Sequence, residues 1–81
     1  MRKIKIGCIY KHFKGNEYKV IDIVNDCESI GEDIKKVVIY EALYGNNERW
    51  ARKYDDFASC VDHEKYPGIS QKYRFEEVKH K

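Results

Sequence analysis

No apolar run in this chain is long enough for a membrane span or for the core of a secretory signal, so a soluble protein without a membrane anchor is expected. Met1-Arg2-Lys3 begins as a signal peptide does, but Ile4-Lys5-Ile6 already alternates like a strand. Cysteine is scarce and unpaired. Cys8, Cys27 and Cys60 are an odd number, widely spaced, with no C-x-x-C; this argues against a disulfide framework, offers zinc no paired ligands at short spacing, and points to the cytoplasm. Internal repeats, low-complexity segments and helical periodicity are all but missing. The one proline, Pro67, stands beside Gly68 and marks a turn within the polar loop Asp62 to Gln71. No stretch carries a catalytic or cofactor motif, and no cofactor is expected.

What the chain does have is aromatic side chains. Seven Tyr, three Phe and one Trp occupy 14% of 81 residues. One domain, residues 1–81, is expected; a chain so short buries only about 60 to 65% of its unfolded surface, so its core has to be dense with large rings. Net charge is +2 but segregated: +5 over residues 1–20, −5 over 21–34, +3 over 35–54, −4 over 55–64 and +3 over 65–81. Neighbouring segments can neutralise one another, or one face can be basic and another acidic. With a pI near 8.4, whole-chain charge does not by itself argue for nucleic-acid binding.

In chain order, Ile4 to Phe13 reads as one strand or two joined at Gly7, and Lys14-Gly15-Asn16 as a turn. Glu17 to Asn25 is a second strand whose apolar phase changes from Tyr18 and Val20 to Ile21 and Ile23, which predicts a bulge or bend. Asp26 to Lys36 is an acidic connection. Its Asp26, Glu28, Gly31 and Asp33 imitate a calcium-loop register, but Val37 occupies the place where a bidentate Glu is required, so no metal is expected. Residues 38–57 hold the strongest hairpin: Val38 to Leu43, a turn at Gly45-Asn46-Asn47, and a return over Trp50 to Tyr54. A competing reading places a helix over Glu48 to Phe57. Tyr54 to Phe57 reads as a short 3₁₀ turn, Ala58 to Val61 as a short strand, and Lys72 to Val78 as the last strand. The predicted fold is all-β, a small SH3-like roll or barrel of five to six short strands.

Four blocks, IYKHFKGNEYKVI, VIYEALY, WARKYDDF and YPGISQKYRFEEV, together resemble the small bacterial family known as domain of unknown function 1653, over roughly residues 7–78. The family's motif positions fall on Tyr10 to Gly15, on Tyr40, Ala42, Leu43 and Tyr44, on Trp50, Arg52 and Phe57, and on Tyr66, Pro67, Gln71, Tyr73, Arg74 and Phe75. One position departs: where the family has proline after Trp-x-Arg, this chain has Lys53, which frees a backbone N–H and the φ angle. The resemblance implies an SH3-like roll and no activity.

The candidate ligand-binding residues are Tyr10, His12, Lys14, Tyr40, Tyr44, Trp50, Arg52 and Arg74. Aromatic rings beside cations can hold a peptide, cage an ammonium or stack nucleobases; in so small a domain they can equally be the core. Arg52 suits a bidentate grip on carboxylate or phosphate, although an internal ion pair with Asp55, Asp56 or the acidic loop is favoured, and Arg74 is read in the same two ways. His12 lacks a sequence-adjacent partner for catalysis, since Cys8 on the same strand face is about 13 Å away in extended chain. The expected function is therefore that of a non-enzymatic binding module for a peptide or protein. Binding of single-stranded RNA is the alternative, and a small-metabolite binder or enzyme using His12 the second alternative. Weak self-association through an open strand edge is also expected.

Overall fold

The structure, a computed structural model, describes residues 2–29, 31 and 33–79. Five antiparallel strands form one sheet: β1 (Ile9–His12), β2 (Glu17–Asn25), β3 (Lys36–Ala42), β4 (Arg49–Lys53) and β5 (Phe75–Glu77), in the order β4-β3-β2-β1-β5. A single helical turn, α1 (Tyr54–Phe57), follows β4 directly. The first four strands are a meander and the last adds beside the first, the connectivity expected of an SH3-like roll.

The phase change in β2 has the predicted cause. Val20 pairs with Tyr40 and Asp22 with Ile39, so Ile21 is an extra residue, and beyond it Ile23 rather than Asp22 pairs with Val38 on the inner face. The hairpin turn uses left-handed backbone at Gly45 and Asn47, whose φ angles are 58° and 53°, and the Asn47 amide donates to the Ala42 carbonyl at 2.9 Å.

Several expectations need correction. Ile4 to Ile6 are not strand: Gly7, at φ 86°, turns the chain so that Ile4 enters the core while Ile6 stays exposed. Ala58 to Val61 forms no strand, only an isolated bridge between Cys60 and Tyr73. The last strand starts at Phe75 rather than Lys72, because the N–H groups of Lys72 and Tyr73 are taken by the Glu76 carboxylate, each at 3.0 Å. The turn at 54–57 is α-helical rather than 3₁₀, with the Ala58 N–H donating to the Tyr54 carbonyl at 2.9 Å, and the helix stops there instead of reaching back to Glu48. Pro67-Gly68 does form a turn, closed by the Ile69 N–H on the Tyr66 carbonyl at 3.2 Å.

Rings fill the space between the sheet and α1. Phe57 and Phe75 stack with centroids 4.0 Å apart and planes 5° from parallel, and Tyr10, Tyr40, Val20, Val38 and Ile4 complete the buried cluster. No side-chain nitrogen or oxygen is buried without a partner among the described residues. The two core tyrosines show how: Tyr10 accepts the Lys5 N–H at 2.8 Å, and Tyr40 accepts Arg52 Nε at 3.2 Å.

Candidate binding face

Directly opposed residues of antiparallel strands share a face. The pairs Tyr10–Tyr18, His12–Phe75, Val20–Tyr40, Tyr40–Trp50 and Val38–Arg52 therefore put Tyr10, His12, Tyr40, Trp50 and Arg52 on the same, inner side of the sheet. They lie at different depths. Tyr10 and Tyr40 belong to the core, His12, Arg52 and Arg74 are half-buried, and Lys14, Tyr44 and Trp50 are exposed, Tyr44 by 45% and Trp50 by 49%. Depth depends on distance from the sheet's centre: β4 is an outer strand, so its inward-facing Trp50 has Tyr40 of β3 opposite it on one side and the open edge on the other.

The exposed ring of Tyr44 is tied to the buried ones through Tyr18. Its ring packs edge-on against Tyr40, Tyr44 and Phe75 at 5.3, 5.6 and 5.8 Å, and its hydroxyl shares a 2.7 Å hydrogen bond with that of Tyr44. Burial first, then the neighbouring Tyr44 hydroxyl, push the Tyr18 pKa up to about 12. Sequence reasoning left Tyr18 out of the site, although its parity with Val20 placed it on the inner face.

Cations converge on the rim of Phe75. The Arg52 guanidinium lies 5.6 Å from that ring's centroid, donates to Tyr40, and pairs with Asp56 at 2.7 Å, which is one of the internal partners expected for it. Arg74 reaches the same carboxylate at 3.9 Å and donates to the Ser59 hydroxyl at 3.2 Å. Burial opposes the charge on Arg52, but its bonds to Tyr40 and Asp56 outweigh that and its pKa is raised. His12 lies edge-on to Phe75 at 4.9 Å, and its Nδ1 accepts the Lys14 N–H at 3.1 Å, which leaves the ring proton on Nε2. Burial, with Arg52, Arg74 and Lys14 adding repulsion, pushes its pKa down to about 4, so at neutral pH it is an uncharged donor among cations.

A cleft of about 250 Å³ opens between Tyr44, Gly45, Asn46, Glu48 and Trp50 at the hairpin end of this face. A larger one of about 640 Å³ lies at the opposite end of β4, lined by Ile34, Lys35, Lys53, Tyr54 and Asp55 among others, and a third of about 460 Å³ lies beside Arg2, Tyr10 and Tyr73. None of these three is lined by His12 or by a cysteine. Among the described residues no three His, Cys, Asp or Glu side chains are grouped to hold a metal, the cysteines are unpaired, and no helix is long and apolar enough to cross a membrane.

A family model described as protein of unknown function, DUF1653, matches residues 8–77. No curated protein and no solved structure matches the chain.

Proposed function

The chain belongs to the DUF1653 family, which assigns no activity, and we propose from its own surface that it is a non-enzymatic module binding an extended peptide segment of a partner protein along the β3–β4 side of the sheet. The observation that carries this reading is the exposure of Trp50. It stands beside exposed Tyr44 at the mouth of a cleft, on the face where Arg52 supplies a fixed cation. Aromatic anchors flanked by an oriented guanidinium are the elements that peptide grooves use, the rings for area and the cation for register.

Trp50 is the only tryptophan, so its emission reports this surface alone. Peptides selected by the intact chain from a random display library are expected to shift Trp50 emission to the blue on binding and to lose most of their affinity for Trp50→Ala. Selected peptides that bind Trp50→Ala as tightly as the wild type would falsify the assignment.

A second reading, single-stranded RNA, is favoured by the approach of Lys14, Arg52 and Arg74 to His12. Asp56 answers two of those cations from within the molecule, which weakens that case. The two readings differ in salt dependence: affinity for oligouridylate falls steeply between low and moderate salt if phosphates are neutralised, whereas an aromatic peptide contact changes little.

A further inference from the structure

We propose that the bound segment is an acidic β-strand, supplied by a partner protein, that adds to the free edge of β4. This rests on the peptide-binding reading above and specifies its partner. The main chain shows where. The Ala42 N–H donates to the Glu48 carbonyl at 2.9 Å, and by antiparallel alternation the backbones of Trp50 and Arg52 also bond to β3, while the N–H groups of Arg49, Ala51 and Lys53 turn away from it. Arg49, Trp50, Ala51 and Lys53 are all exposed, the outward N–H groups of that edge donate to no partner among the described residues, and the bare methyl of Ala51 leaves its middle accessible. The sheet's other edge is guarded. Arg2 donates to the Phe75 and Ala58 carbonyls and stacks on Tyr73 at 4.0 Å, against the outer side of a strand only three residues long.

Charge selects the occupant. β4 reads Arg-Trp-Ala-Arg-Lys, with three cations and no acid. A second copy paired antiparallel about Ala51 would oppose Arg49 to Lys53 at both ends of the pairing, setting cation against cation. An acidic strand meets the opposite field. Lys53 makes no ion pair among the described residues, and Arg49 reaches Glu41 only at 3.8 Å, so both remain available on the outer face. The register then specifies the ligand: acids opposite Arg49 and Lys53, an apolar residue opposite Trp50 on the inner face, and tolerance opposite Ala51.

The test uses the full chain and the capped peptide Ser-Glu-Val-Thr-Val-Glu-Ser. Binding is read from Trp50 emission, and strand addition from amide hydrogen exchange. Saturating peptide is expected to slow exchange at Arg49 and Ala51, and Ala51→Pro, which removes an outward N–H and no bond to β3, is expected to weaken binding at least about tenfold. Should Ala51→Pro fail to fold, Lys53→Pro removes the neighbouring outward N–H at a residue whose φ of −55° already suits proline. Arg49→Glu with Lys53→Glu should reverse preference toward the same peptide with lysine in place of glutamate. Binding without altered exchange, or insensitive to both prolines but lost in Trp50→Ala, overturns strand addition and leaves the peptide face standing. Binding unaffected by Trp50→Ala overturns the face itself. Protection at Arg49 and Ala51 that grows with protein concentration and no peptide identifies the occupant as a second copy, and no binding of the acidic peptide at millimolar concentration overturns the proposal.

Discussion

Phe57 and Trp50 carry similar apolar area but do different work, and substitution separates them. Phe57 is fully buried against Phe75, Tyr10 and Tyr40, so Phe57→Ala is expected to cost about 3–5 kcal/mol, a large part of the roughly 4–12 kcal/mol available to a domain of this size. Trp50→Ala gives up only half-covered area and is expected to cost about 1–2 kcal/mol. Urea unfolding of the two variants checks the contrast. His12 supplies a separate handle. Its folded pKa of about 4 lies below the ordinary value of 6.5, so between those values the unfolded chain binds the extra proton. Its contribution to stability is therefore full above pH 6.5 and is lost as pH falls toward 4, where burial disfavours the imidazolium and Arg52 from β4, Arg74 ahead of β5 and Lys14 from the first turn repel it. His12→Gln should show a smaller loss of unfolding free energy between pH 7 and pH 5 than the wild type. An equal loss in both proteins would contradict the assignment.

At the scale of the element, Lys53 links β4 to α1 with φ −55° and ψ 139°, and its N–H faces away from β3. Proline fits that geometry and forfeits no ladder bond, so Lys53→Pro is expected to raise stability by about 0.4–1 kcal/mol through a less free unfolded chain. A lower thermal midpoint in that variant would show that the Lys53 N–H or side chain is used in the native state. The elements themselves were largely legible from the residues. The shift from Tyr18 and Val20 to Ile21 and Ile23 foretold the bulge because one extra residue inverts parity for everything after it. Ile4-Lys5-Ile6 misled because alternation records a preference for strand, while Gly7 turns this segment off the line of β1, where Ile4 packs into the core and no ladder forms. The candidate site was legible as a face but not in depth. Parity grouped Tyr40 with Trp50 correctly, yet only the position of β4 at the margin of the sheet decides that one is core and the other exposed. Asp56 gathers Arg52 and Arg74 through contacts 4 and 18 residues apart, and only the nearer was visible in sequence.

Across the whole molecule, the alternating charge blocks resolve into few contacts. Among the described residues the ion pairs are Lys5–Glu77, Lys35–Asp33, Arg49–Glu41 and the Arg52–Asp56–Arg74 group, all at least partly solvated. Exposed pairs of this kind contribute about 0–1 kcal/mol each, so the thermal midpoint should move little between low and high salt, and calorimetry at two salt concentrations checks this. What holds the molecule together is its rings, and the pairing of β1 with β5 brings them into register across more than sixty residues of chain, from His12 to Phe75. That pairing has a consequence for synthesis. Until Phe75 is free of the ribosome, Tyr18 and Tyr40 lack the ring that packs edge-on against them, and the nascent chain presents an unfinished, sticky sheet to whatever waits at the exit. The earliest strand to be made is among the last to be completed.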